Sequence, residues 1–203
     1  RSNIYAPKPV TTLLLNRKVP VEDLGMLYAF AAPEASVKNQ ALSQILARHL
    51  RVRAFETLRT EEQLGYAAGG GALDLYKHPM VILYIQTPVK GPQEMLDRFT
   101  AYTEEYSDEL AALPEASFEK FKAGVLTALT EPPKNLSAEA GPFVSDWAIE
   151  HYDFDTRAKL IAAVNAATLQ DVQRFYEETV FSEASSRIVI QLRGKRYSER
   201  PFA

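Results

Sequence analysis

The stretch FETLRTEEQLGY, Phe55 to Tyr66, gathers an aromatic, an arginine, three acidic residues, a glycine and a tyrosine. Phe55 and Arg59 stand four apart, so on a helix they share one face. Tyr66 follows Arg59 by seven, beyond Gly65. A strand starting there can turn the Tyr66 side chain back toward that face. Two donors then converge: a fixed, charged guanidinium and a phenolic hydroxyl. Such a pair suits an oxygen acceptor, through charge-assisted and neutral hydrogen bonds. Simpler roles stand beside this one. Arg59 near a helix C-terminus is favoured by the helix dipole, and Phe55 and Tyr66 can be core aromatics. Glu62 and Gln63 read as structural residues that satisfy the turn.

Other chemistry is thinly represented. The chain has no cysteine, which excludes disulfides, a thiol nucleophile and thiolate metal ligation. Its three histidines, His49, His78 and His151, have no second His at helical spacing. Trp147-Ala148-Ile149-Glu150-His151 ends like the inverted zinc motif H-x-x-E-H, but Trp147 stands where the first ligand belongs. Zinc needs three protein ligands or more, so this segment reads as a helix-end His and a core Trp. Gly69-Gly70-Gly71 lacks the Gly-Lys-Ser/Thr and the following helix of a phosphate loop. Glycines in a strand mark a bulge or a close backbone approach. No G-x-S-x-G elbow is present. Glu104, Glu105, Asp108 and Glu109 read as a solvated helix face.

The elements that must position these residues follow from periodicity and punctuation. Strands are predicted over Val10–Asn16, Leu24–Ala32, Leu64–Ala72 and Pro79–Thr87, with a last one over Ser186–Gly194. A long helix is predicted from Ser36 to Leu58. Leu42, Ile45, Leu46 and His49 define its face, and Phe55 and Leu58 continue it after a phase slip. Met95, Phe99, Tyr102, Tyr106, Leu110 and Leu113 give a second buried stripe. Pro114 opens another helix, carrying Phe118, Phe121, Val125 and Leu129, and Pro132-Pro133 stops it. A helix with Phe143, Val144 and Trp147 follows, and Asp155 and Thr168 read as N-caps of two more. The order β-β-α-β-β-α-α-α-α-α-β predicts an α+β fold, a largely antiparallel sheet with helices on one face. Residues 1–203 read as one domain, with 1–9 and 195–203 as loose termini.

At 203 residues, 46% hydrophobic and 24% charged, the composition is that of an ordinary globular domain. A net charge of −3 carries no nucleic-acid footprint, and no apolar run reaches membrane-span length. The sequence starts at Arg1, which reads as a chain processed or cut from a longer protein.

The segment Leu58-Arg59-Thr60-x-Glu62-Gln63-Leu64-Gly65-Tyr66, preceded by Phe55, resembles the C-terminal-half signature of the pitrilysin/insulysin family of zinc metallopeptidases. Three further stretches are similar to the family pattern: YIQTPVKGP (Tyr84–Pro92), EPPKNLSAEA (Glu131–Ala140) and HYDFDTR (His151–Arg157). The likeness spans about Leu24 to Gly194. It implies four homologous α+β domains in two halves around a chamber, this chain being the last. The resemblance then implies that zinc and the Glu base belong to another domain, that this chain binds no cofactor, and that it closes the chamber. It implies roles for Arg59 on a substrate backbone carbonyl, Tyr66 on the oxyanion, Phe55 at a side-chain pocket, and Gly69 and Gly70 where a peptide backbone approaches. The implied partners are a peptide substrate and a zinc-bearing N-terminal half, on the same or a separate chain, with a homodimer left open. The alternative is a non-catalytic scaffold or interaction subunit; a lone catalyst is disfavoured. For a bacterial member the analogy implies the periplasm, with the cytoplasm as the alternative. One departure stands out: the family usually continues after the Tyr with β-branched or aromatic residues, where this chain has Ala67-Ala68-Gly69-Gly70-Gly71.

Overall fold

The computed structural model describes residues 12–75, 78–183 and 185–203. Among these, the strands β1 (Thr12–Lys18), β2 (Leu24–Ala31), β3 (Ala67–Leu75), β4 (His78–Thr87) and β5 (Arg187–Arg193) form one sheet in the order β1-β5-β2-β4-β3. Only the β1–β5 pair is parallel. The helices are α1 (Val37–Phe55), α2 (Pro92–Ala111), α3 (Glu115–Thr130), α4 (Leu136–Ala148), α5 (Thr156–Ala166) and α6 (Leu169–Val180). This is the predicted α+β order and a largely antiparallel sheet. Val10 of the expected first strand, and the expected loose terminus 1–9, lie outside the described residues.

Alternation along the strands decides where the core sits. Leu24, Met26, Tyr28 and Phe30 of β2 pair across the same face with Ile85, Leu83 and Val81 of β4 and with Val189 of β5. All are buried. They meet Leu42, Ile45, Leu46 and Leu50 of α1, the Met95–Leu110 stripe of α2, and Val172, Phe175 and Tyr176 of α6 in one apolar cluster. The helix starts are set by side chains. Ser36 accepts from the Asn39 N–H at 3.1 Å, Asn135 from the Ala138 N–H at 2.9 Å, and Thr168 from the Asp171 N–H at 3.1 Å. Asp155 holds the N-cap position of α5 without a cap bond from its side chain. Its carboxylate is taken by His151 and Lys159 instead.

The other sheet face is apolar and only partly covered. Register places Leu13, Leu15, Leu192 and Tyr84 on it, and each is at least 39% exposed. Two expectations fail at the periphery. Trp147 is not a core residue but 65% exposed, as are Phe143 and Val144 in large part. The reason is the seating of α4: its buried residue is Asp146, which accepts from the Thr156 N–H at 3.4 Å, so its apolar side faces outward. The C-terminal tail is held. Tyr197 is buried, the Arg193 guanidinium lies 4.3 Å from the Phe202 ring, and the Ala203 N–H donates to Gln191 Oε1 at 3.0 Å. The amide of the fully buried Gln191 is satisfied by the returning tail, donating to Ala203 C=O at 3.3 Å.

Candidate functional site

The FETLRTEEQLGY joint is built by a change of helix type. α1 runs regularly to Phe55, and Glu56–Glu61 then continue as π-helix. The Glu62 N–H donates to Thr57 C=O, five residues back, at 3.0 Å. The wider turn admits one extra residue. This is the physical form of the phase slip in the sequence, and it keeps Leu58 fully buried. Gln63 then takes a left-handed backbone, φ 53°, which ends the helix. The Leu64 N–H returns to Leu58 C=O at 3.0 Å. Leu64 C=O accepts from Thr87 Oγ1 at 2.5 Å, and the same hydroxyl accepts from the Val89 N–H at 3.0 Å.

Gly65 serves the joint by close packing and not by an unusual backbone angle. Its φ is not positive; the left-handed residue is Gln63. Glycine is required because the Gln86 backbone passes so close that a Cβ would lie 2.0 Å from its carbonyl oxygen. Glu62 anchors the outside. Its carboxylate receives Arg98 Nε at 2.9 Å and Nη2 at 2.5 Å, and Arg98 also reaches Glu105 at 2.9 Å. Hydrogen bonding to Glu62 is the main reason the Arg98 guanidinium is held above its ordinary range. Glu62 is structural, as expected.

On this rigid joint the named residues differ in placement. The Arg59 guanidinium lies 4.7 Å from the Phe55 ring centroid. Phe55 is therefore a half-exposed shelf under Arg59, an arrangement stabilised by cation–π attraction. Tyr66 is 79% exposed and makes no hydrogen bond to any described residue. Tyr66 is therefore not a core residue, whereas Arg59 does sit in the last helical turn, where the helix dipole favours a cation. Gly69 and Gly70 are buried, and the space a Cβ would occupy is filled by a side chain of the open sheet face at Gly69 and of the core at Gly70. At Gly69 it meets Tyr84 Oη at 2.9 Å, and at Gly70 it meets Leu50 Cγ at 2.6 Å. The side chains that approach these glycines closely belong to Tyr84 of β4 and Leu50 of α1.

Beside the joint lies an interior polar cluster that sequence reasoning missed. His49 is buried and shares a hydrogen bond with Tyr106 Oη at 2.9 Å. Burial, with the nearby Arg53 charge, lowers its pKa to about 4. Glu109 pairs with Arg53 and lies 3.7 Å from His49 Nε2. Glu105 and Glu109 are thus engaged, unlike the solvated face expected of them. Arg53 follows His49 by four, a spacing that marks one face; Tyr106 and Glu109 sit more than fifty residues away and carry no local signal.

None of the described residues forms a convincing metal site. His151, Asp153 and Asp155 bring ligand atoms within 4.8 Å of one another. The Asp155 oxygen that faces His151 at 2.8 Å already holds the Lys159 ammonium at 3.0 Å. Those two partners keep the Asp155 carboxyl below its usual range. A dication would have to displace a cation there, and the set does not fit zinc. No described helix is long and apolar enough to cross a membrane.

Residues 45–144 match the family model described as PQQ synthase PqqF-like, C-terminal lobe domain 4. The A-factor-processing enzyme of Saccharomyces cerevisiae is 29% identical over 155 residues, covering 76% of this chain and 15% of that protein. Protease 3 of Escherichia coli is 25% identical over 164 residues, covering 81% of this chain and 17% of that one. The crystal structure of pitrilysin superposes with a TM-score of 0.85 at 23% identity, over 94% of this chain and 20% of that chain. The chain thus spans about a sixth of the length of these curated relatives. The signature joint, the fold and these relatives agree: the chain is similar to the C-terminal lobe domains of pitrilysin- and insulysin-type peptidases.

Proposed function

We propose that this domain binds and positions peptide within a zinc metallopeptidase, closing the chamber over a metal held by another domain of the same or a separate chain. Arg59 donates to a backbone carbonyl of the bound peptide. Tyr66 donates to the oxygen on which negative charge develops as the scissile carbonyl becomes tetrahedral. Phe55 borders a side-chain pocket while holding the Arg59 guanidinium in place. The observation that carries this reading is a contrast at the joint. Its backbone is fixed by the π-turn, Thr87 and the Glu62–Arg98 fork, yet Arg59 and Tyr66 at its rim have no polar partner among the described residues. Unpaired donors carried on a fixed backbone are available to a ligand. A second reading, a docking or scaffold domain, draws on the exposed Phe143, Val144 and Trp147 of α4 and on the uncovered apolar sheet face. Both can hold in one protein, since a domain that closes a chamber must dock.

The test uses the full-length protein. Arg59→Ala is expected to raise KM for a peptide substrate about tenfold, through loss of a charge-assisted hydrogen bond. Tyr66→Phe is expected to lower kcat by about 100-fold. Indifference of turnover to both substitutions would remove Arg59 and Tyr66 from the site.

A further inference from the structure

The exposed side of α1 continues the site away from Arg59. Arg48, Arg51, Val52 and Phe55 recur at helical spacing, and all four are exposed. They lead along one stripe to Arg59, whose guanidinium sits on Phe55. Among the described residues, Arg48, Arg51 and Arg59 have no acidic partner, although the chain as a whole carries a net charge of −3. Arg53, on the inner side of the same helix, is paired with both Glu56 and Glu109. Unpaired guanidinium groups in an acidic protein point to an external anion.

The stripe also borders a groove. A depression of about 560 Å³ lies between α1, α3 and the end of β3, lined by Arg48, Arg51, Val52, Ala72, Phe121 and Val125 among others. Its floor is apolar and its charged groups are the two arginines. Arg48 is seated there: a Cβ on Gly124 of α3 would lie 3.2 Å from its Nη1, so the guanidinium rests against a position kept small. Charge and shape together describe a track for an extended acidic segment, with apolar floor beneath and guanidinium groups on one wall.

We propose that Arg51 and Arg48 form an acidic-peptide subsite that extends the substrate track from Arg59 into the α1–α3 groove. This rests on the reading of Arg59 as a substrate contact. The spacing sets the register. At about 1.5 Å rise per helical residue, Arg51 and Arg48 lie roughly 12 and 16 Å from Arg59 along the axis. An extended peptide advances about 3.3 Å per residue. The preferred Asp or Glu therefore lies about four to five residues from the residue held at Arg59.

The experiment compares two fluorogenic peptides in the full-length protein at low ionic strength. They differ only in carrying Glu or Gln four and five residues from the contact residue, placed on either side of the scissile bond in turn. The expected result is a kcat/KM ratio of roughly tenfold in favour of Glu on one side, carried mainly by KM and shrinking with salt. In Arg48→Gln/Arg51→Gln the ratio falls to near one, and in Arg48→Lys/Arg51→Lys most of it returns. A wild-type ratio of one on both sides, or a ratio untouched by the double Gln variant, overturns the subsite. The two readings fail separately. If Arg59→Ala and Tyr66→Phe impair turnover while the ratio ignores Arg48 and Arg51, only the subsite is lost. If the ratio follows Arg48 and Arg51 while Arg59 and Tyr66 are dispensable, the assignment at the joint is lost.

Discussion

On the inner side of α1, His49 and Arg53 are committed to Tyr106, Glu56 and Glu109; on the outer side, Arg48, Arg51 and Arg59 are exposed and meet no acid among the described residues. Both sides are polar and both belong to one helix. The inner groups are engaged with fixed partners, His49 buried and Arg53 partly so, and they tie α1 to α2. The outer groups keep their full hydrogen-bonding capacity and are positioned by a helix that the inner groups hold still. Richness in charge is therefore a poor guide to function here. Lack of a partner on a rigid support is a better one.

The sharpest way to break this arrangement is to loosen the support itself. Gly65→Ala would drive a Cβ into the Gln86 carbonyl, which cannot move without disturbing β4. The expected loss is about 3 kcal/mol, read as a fall in the urea midpoint. A stable Gly65→Ala variant would mean that the joint is pliable. The inner side is probed by acid. The folded pKa of His49, about 4, lies below the ordinary 6.5, so the unfolded chain takes up the proton first. Stability present above pH 6.5 is lost as pH falls toward about 4, by roughly 3 kcal/mol at most. Unfolding measured between pH 7 and pH 4 should show that loss, and His49→Gln should flatten it. Equal slopes in the two proteins would mean that His49 is not buried as a neutral ring. The outer side should barely respond. Arg48→Gln and Arg51→Gln are expected to change stability by less than about 0.5 kcal/mol each; a loss of 2 kcal/mol would make these arginines structural and end the contrast between the two sides.

The sequence made the framework legible where local rules sufficed. Pro114, the Pro132-Pro133 stop and the Thr168 cap stand where expected, while the third strand, Ala67–Leu75, is displaced toward the C-terminus from the expected Leu64–Ala72. The phase slip before Leu58 was visible as a pattern and proved to be a π-turn. What escaped depended on residues far apart in the chain. Arg98 reaches Glu62 across 36 positions, Tyr106 reaches His49 across 57, and the Gln86 backbone presses on Gly65. No periodicity records such pairs. Trp147 was misplaced for a related reason: its apolar spacing is that of a core helix, but the buried residue of α4 is Asp146, which faces α5. The candidate donors themselves, Arg59 and Tyr66, were legible through the family signature. Their lack of internal partners was not, because a sequence does not show what a side chain fails to touch.

The role proposed for Tyr66 is to act on the transition state more than on the bound substrate. In the full-length protein, Tyr66→Phe should weaken a phosphinic-peptide mimic of the tetrahedral carbon by about 100-fold, while the matched amide substrate shifts its KM by no more than about threefold. Equal weakening of both ligands would make Tyr66 a plain binding residue, and no weakening of either would contradict the account.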